Sequence, residues 1–225
     1  MTSSQPVAVV DPPALSRLAL NLITIGSQHR FEDILDECVR LGITAVSPWR
    51  QHYEKAGVAR AARAVSERGL CVNTVCRIAG FGPADTPSAW QAALKEGRLT
   101  IDEAAEMKAG FITVTGGGIA PASKDVAAAR KRVHDGVEAL LPHARAAGIT
   151  LALEPLHPMT AADRGAISSL GLAHTMARDL GDGVGVLGGF KDNFAANVLN
   201  TNLYFHSKAS QPINVQKMSK VNLYL

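Results

Sequence analysis

The sequence predicts an α/β protein built on a parallel sheet, and three observations carry that expectation. Short apolar runs alternate with longer stretches of helical apolar spacing. Glycines (Gly42, Gly69, Gly110, Gly148) stand where a helix should give way to the next strand. Several apolar runs also end on polar or charged residues at the same phase of the alternation. Strands that follow one another through helices must pair in parallel, because each crossover returns the chain to the same end of the sheet. Two closures satisfy the pattern: an open doubly wound sheet, or a closed barrel of eight strand–helix units. No G-x-G-x-x-G follows the first apolar run, which weighs against a dinucleotide-binding open sheet.

Residues 1–16 are polar, carry Pro12-Pro13 and read as a loose lead-in. Leu18–Ile23 is the first expected strand, followed by a loop at Gly26. Phe31, Ile34, Leu35, Cys38 and Val39 then recur at helical spacing, with acids early and Arg40 late, as the helix dipole favours. Gly42 ends that helix. Ile43–Val46 is the second strand and runs into Ser47-Pro48-Trp49-Arg50. A helix over Glu54–Arg68 carries Val58, Ala61, Ala62 and Val65 on one face, Gly69 closes it, and Leu70–Val75 makes a third strand ending near Arg77. A looser segment with Gly80-Phe81-Gly82-Pro83 leads into a helical region reaching Met107, which Gly97 is expected to divide. Phe111–Thr115 is the fourth strand and meets Gly116-Gly117-Gly118. Ser123 begins the next expected helix, where Pro142 should introduce a kink or a fresh turn. The fifth strand follows Gly148. Ile167, Leu170, Ala177 and Leu180 mark one more helix, and Val184–Leu187 the sixth strand.

The most informative stretch is Thr150–Arg164. Its apolar run ends on Glu154, and Pro155 follows at once. Proline cannot donate to a ladder and biases the residue before it toward extended geometry, so the strand stops with a carboxylate at its tip. His157, Asp163 and Arg164 lie just beyond, on a loop. Carboxyl ends of buried parallel strands are where α/β barrels keep their chemistry. The alternative is structural: Glu154 capping a helix or pairing with Arg164.

Composition narrows the classes. With 225 residues and 47% hydrophobic content the chain can bury a sizeable core. The formal net charge of +3 is small and the basic residues are scattered, so nothing asks for a nucleic-acid partner. Three cysteines, Cys38, Cys71 and Cys76, cannot all pair and show no C-x-x-C spacing, which predicts reduced thiols. The amino terminus lacks a basic start followed by an apolar core, and no apolar run approaches membrane-spanning length. A cytoplasmic protein without a membrane partner is expected.

Leu18-Ala-Leu-Asn21, Ser47-Pro-Trp-Arg50, the helix end IDEAAEMKAG (101–110), the glycine run, LLPHARAAGI (140–149) and above all LALEPLHPMTAADR (151–164) together resemble the sugar phosphate isomerases/epimerases of the xylose-isomerase-like TIM-barrel superfamily. The resemblance covers about residues 16–187, and Glu-Pro-Leu-His-Pro is its most specific piece. It implies a (β/α)8 TIM-barrel type, incomplete here with about six strand–helix units, over residues 17–189. It also implies one divalent metal (Mn2+, Mg2+, Co2+ or Zn2+) held by acids and a histidine at strand ends, and two glutamates that move a proton beside a polarised carbonyl. Carried onto this sequence, Glu154 matches the first metal ligand and an acid/base carboxylate, and His157 a substrate or metal contact. Asn21, Trp49, Arg50, Arg77, Gly116, Gly117 and Arg164 are the accompanying substrate-binding candidates. Arg50 and Arg77 could clamp a phosphate or carboxylate, with surface ion pairing as the competing role. The implied partner is a small carbohydrate, with homo-oligomers allowed.

The pattern breaks after Val186. Where the family pattern implies an acid, the chain reads Gly185-Val186-Leu187-Gly188-Gly189. All fourteen arginines precede residue 190, whereas six of eight asparagines follow it. These residue classes track codon base content, so residues 190–225 read as a divergent tail from another reading frame, an intron or a joined segment, and without a sustained period it is expected to be poorly ordered or to form an improvised strand. The expected consequence is an isomerase or epimerase site short of metal ligands and of low or no activity. A non-catalytic barrel serving as a binding protein is the main alternative. A metal phosphodiesterase like the abasic-site endonucleases is disfavoured, because it needs more histidines and acids at strand ends and a basic groove.

Overall fold

The computed structural model describes residues 19–25 and 28–188, and the backbone of 206–208. The expected lead-in and most of the expected tail lie outside the described residues. Seven strands run in parallel: β1 (Ala19–Asn21), β2 (Ala45–Ser47), β3 (Cys71–Val72), β4 (Thr74–Ile78), β5 (Phe111–Val114), β6 (Thr150–Leu153) and β7 (Val184–Leu187). Five helices cross between them: α1 (Phe31–Arg40), α2 (Val58–Glu67), α3 (Pro87–Glu106), α4 (Val126–Ala146) and α5 (Leu170–Leu180). The sheet reads β1-β2-β3 and β4-β5-β6-β7, and a parallel bridge between Trp49 and Cys76 joins the two parts. β3 and β4 form one strand position interrupted at Asn73, so six positions are filled, as the sequence leads one to expect. A further strand, β8 (His206–Lys208), pairs antiparallel with β7.

Alternation along the strands sorts the sheet into two faces. Val46, Val72, Val75, Ile112, Val114, Leu151, Leu153, Val184 and Val186 face the helices and join Ile34, Leu35, Val65, Ile101, Leu140 and Ala177 in one large core. The opposite face is small and polar: Asn21, Ser47, Thr74, Cys76, Thr113, Ala152 and Gly185. Phe111, Ala152 and Leu187 form a separate apolar cluster there. A parallel sheet covered by helices on one face and lined with small residues on the other is the geometry of a barrel wall.

Helix ends follow their local chemistry. Thr86, Asp125 and Ser169 cap α3, α4 and α5, accepting from the amides of Ala89, Ala128 and Leu172. Gly57, at φ 86°, makes the entry to α2 and sets its start later than the expected Glu54. Two expectations are corrected. Gly97 does not divide α3, which runs unbroken over 20 residues. Gly97 is instead where α3 lies close against α4, since a Cβ there would meet Leu140 Cδ1 at 2.5 Å. Of the two roles expected for Pro142, the fresh turn is absent, since Pro142 sits inside α4, and that helix begins at Val126 rather than Ser123. Burial of Leu140, Leu141 and Ala144 against the sheet and the neighbouring helices outweighs the lost backbone bond.

Candidate active site

Because β1 to β7 are parallel, Asn21, Arg50, Arg77, Gly116 and Glu154 all fall at the carboxyl end of the sheet. Glu154 follows β6 directly, and its amide continues the ladder to the Val114 carbonyl at 2.9 Å. By parity with Ala152 it sits on the inner face, and it is 7% exposed. Around it on that face are Thr74 and Thr113, whose hydroxyls meet at 3.1 Å, and the Cys76 thiol, 3.8 Å from Thr113 Oγ1. Ser47 Oγ and Thr115 Oγ1 are buried at the same end and have no hydrogen-bond partner among the described residues. Sequence reasoning missed both. Their signal was positional, since each closes an apolar run immediately before the motif residues that drew notice.

Asn21, Trp49 and Arg77 come together. Trp49 donates its indole Nε1–H to Asn21 Oδ1 across 2.8 Å. Arg77 lays its guanidinium over the other side of the arrangement, 5.2 Å from the indole centroid. Arg77 reaches that position because it is an extra residue: Cys76 pairs with Thr113 and Ile78 with Val114, so β4 bulges by one residue between them. Bulges of this kind re-aim a side chain at a strand end.

Arg50 is committed inside the protein. Its Nε bonds both carboxylate oxygens of Glu103, at 3.1 and 2.9 Å, its Nη1 meets Glu96, and its Nη2 reaches Thr100 Oγ1 at 3.0 Å. Tyr53 donates its hydroxyl to the same Glu103 carboxylate at 2.9 Å. Burial, then the Glu103 charge, pushes the Tyr53 phenol far above its ordinary range. Burial alone would disfavour the Arg50 cation, but its bonds to Glu96 and Glu103 outweigh that and hold its pKa above the usual arginine value. A cavity of about 170 Å³ lies beside this network, with Trp49, Cys76 and Arg77 on its other wall. Glu96, Thr100 and Glu103 belong to α3, and nothing in their spacing alone shows that they meet Arg50.

Gly116 and Gly117 have φ of 72° and 85°, and a Cβ on them would meet the Val133 side chain and the Gly80–Pro83 segment respectively. The Gly116 carbonyl accepts from the amides of Gly80 and Gly82, and the Gly117 carbonyl from Ala166. A Cβ on Gly117 would meet Gly80 N at 2.9 Å, and one on Gly118 would meet Ala162 O at 2.3 Å. The glycine run therefore clamps the 80–83 and 162–166 loops together at the carboxyl end. His157 is exposed and opens the 3-10 turn Pro158–Thr160, its Nδ1 accepting from the Met159 amide at 3.2 Å. A neutral imidazole that accepts at Nδ1 carries its proton on Nε2 and presents a donor there. Arg164 pairs loosely with Asp163, 3.7 Å apart, both well exposed.

No helix among the described residues is long and apolar enough to cross a membrane. His134, Asp135 and Glu138, on α4, bring their ligand atoms within 4.8 Å of one another; the first two are half-buried and Glu138 is exposed.

Residues 35–188 match the family model described as xylose isomerase-like TIM barrel. Protein SMc04130 from Sinorhizobium meliloti 1021 has a similar structure at 43% identity and a TM-score of 0.74, over 78% of this chain and 63% of that one. The 3-keto-D-glucoside 4-epimerase YcjR from E. coli aligns at 19% identity and a TM-score of 0.65, over 77% and 68% of the two chains. The IolI protein, whose structure holds a zinc atom, aligns at 14% identity and a TM-score of 0.63, over 75% and 61%. The last two likenesses speak to fold alone. The chain thus spans less than two thirds of the length of SMc04130 and of IolI. None of the curated proteins compared matches the sequence. With the parallel strand ladder, the helical crossovers and the matched span in agreement, the chain belongs to the xylose isomerase-like TIM barrel family.

Proposed function

We propose that the chain carries the proton-transfer site of a carbohydrate isomerase or epimerase, acting on a sugar, a sugar phosphate or a polyol-derived ketone. The observation that carries this is Glu154: a carboxylate on the small, polar inner face, at the carboxyl tip of a buried parallel strand. A carboxylate so placed can take the proton from a carbon next to a carbonyl and return it to the neighbouring carbon or to the same one. The name of YcjR, an epimerase, supports the choice of reaction class.

The family resemblance implies a divalent cation, and the IolI structure holds zinc. The described residues do not fit that group. Such a cation takes several carboxylate, imidazole or water ligands in a fixed geometry. Here the inner face offers Glu154, while His157 faces solvent with Nδ1 engaged, and the inward positions of β7 are Gly185 and Leu187. Proton transfer is therefore assigned to Glu154 alone, with His157 as a hydrogen-bond donor to substrate and Asn21, Trp49, Arg77 and Arg164 around the opening. Arg50 and the glycine run support the walls. The three free cysteines suit a cytoplasmic setting.

The same gap at β7 favours a second reading, a barrel that binds a carbohydrate without turning it over. A panel of ketoses and their phosphates, assayed with the wild-type chain and Glu154→Gln, separates the two. Turnover that falls by about 100-fold or more in the Gln variant, with folding unchanged, supports the first reading. Turnover that survives the substitution makes Glu154 structural.

A further inference from the structure

We propose that Arg77, held by Trp49 and Asn21, is the receptor for an anionic substituent, a phosphate or a carboxylate, and that the chain selects charged carbohydrates over neutral ones. The inference deepens the function proposed above, in that it takes the carboxyl face as the substrate mouth.

Four observations converge on Arg77. The first is a contrast between two arginines that line one cavity. Arg50 spends its guanidinium on Glu96, Glu103 and Thr100. Arg77, beside it, has no carboxylate partner among the described residues and meets only the face of Trp49. A guanidinium stacked on an indole keeps its in-plane N–H fork pointing outward, the geometry that takes a carboxylate or phosphate at two points.

The second is that the stack is fixed rather than adaptable. The Trp49 indole is tied to Asn21 Oδ1 at 2.8 Å, and Asn21 is itself 3% exposed at the end of β1. Asn21 is thus a positioning residue that acts on the anion through Trp49 and Arg77. The third is the one-residue bulge in β4, which lifts Arg77 out of the ladder at the strand end. The fourth is spacing. β4 and β6 are separated by one strand, so their ends lie about 9.5 Å apart along the sheet. An anion on Arg77 and a carbon at Glu154 would sit at opposite ends of one short carbon chain.

The test is calorimetric binding to the whole 225-residue chain, which needs no turnover and so stands apart from the isomerase question. The probes are D-fructose 6-phosphate against D-fructose, and D-gluconate against D-glucose, at constant ionic strength. Each anionic probe is expected to bind about 10- to 100-fold more tightly than its neutral partner, the worth of a charge-assisted pair. A preference in only one of the two pairs identifies phosphate or carboxylate as the group recognised. Arg77→Gln should abolish the preference by weakening the anionic probes far more than the neutral ones, whereas a purely structural role would weaken both alike. Arg77→Lys should restore part of it, because the charge returns without the planar fork. Asn21→Ala should reduce it by about 2- to 5-fold, the scale of a loosened cation–π contact. Equal binding of charged and neutral probes, no detectable binding of either anion, or an Arg77→Gln chain that keeps the preference would each overturn the proposal. If Arg77→Gln does not fold, an Arg77→Lys chain with undiminished preference overturns the two-point geometry.

Discussion

Arg50 and Glu103, fifty-three residues apart in the chain, meet through one guanidinium nitrogen that bonds both oxygens of the carboxylate. The contact ties the turn after β2 to the last turn of α3 and closes the cavity wall that Arg77 and Trp49 face. The Arg50 side chain is 27% exposed and that of Glu103 12%, so neither is bathed freely in water. Removing one partner leaves the other poorly solvated. Glu103→Ala is expected to cost about 1–3 kcal/mol, less than a fully buried pair because Glu96 still engages Arg50. Urea denaturation checks this, and a loss below about 0.5 kcal/mol would show that water replaces the carboxylate without penalty.

Tyr53 shares that carboxylate and provides a pH signature. Its folded pKa is raised, by burial first and the Glu103 charge second, above the unfolded value near 10. The folded protein therefore holds the phenolic proton more tightly than the unfolded chain. Stability from this group is fully present below about pH 10 and is lost as pH rises beyond it, by up to about 1.4 kcal/mol per pH unit. Between pH 9 and 11 the urea midpoint of the wild type should fall more steeply than that of Tyr53→Phe. Parallel curves would show that the phenol titrates normally.

Two glycines separate steric cost from helix propensity. A Cβ on Gly118 would meet the Ala162 carbonyl oxygen at 2.3 Å, and that oxygen belongs to backbone that cannot step aside without moving the loop. Gly118→Ala should destabilise by about 1–3 kcal/mol and disturb the 162–166 loop beside Glu154. At Gly97 the obstacle is the tip of Leu140, which can rotate, and alanine gains about 1 kcal/mol of helix propensity. Gly97→Ala should thus fall within about 1 kcal/mol of wild type. Thermal melts of both variants decide the matter, and the reverse ranking would refute the packing described.

Metal affinity should be weak. Glu154 with at most His157 gives a divalent cation two protein donors. Titration with Mn2+ or Mg2+ is expected to show dissociation constants well above the micromolar range, with little change in Glu154→Gln. Micromolar binding that disappears in Glu154→Gln would mean that ligands from beyond the described residues complete the site.

Much of this architecture was legible because it rests on local rules. The run Thr150–Leu153 followed by Glu154-Pro155 places a carboxylate at a strand tip whatever the rest of the chain does. Asn21, Trp49 and Arg77 were each identifiable as strand-end residues in the same way. Their assembly was not, because the indole–amide bond spans twenty-eight residues and periodicity carries no information at that range. Gly97 was misread for the complementary reason. It disfavours helix locally, as Pro142 does, yet tertiary burial of Ile101, Ala104, Leu140 and Leu141 lets both stand inside helices. The commitment of Arg50 to α3 belongs with these, since an ion pair across fifty-three residues leaves no mark on local composition.

The extra residue in β4 stands outside the phase of its strand. Side chains alternate with a period of two, so one residue inserted into a regular ladder would convert each later inward residue into an outward one. The bulge absorbs that shift here: Cys76 stays opposite Thr113 and Ile78 opposite Val114 with Arg77 set outside the ladder, so the isoleucine keeps the helix-side place that follows Cys76 in a regular strand. Deleting Arg77 would therefore remove the charge while leaving Ile78 and the 80–83 connection in phase with the sheet. Exchange of this segment with a relative is compatible with the wall whether or not the donor carries the extra residue, so the arginine and the wall behind it can be inherited separately.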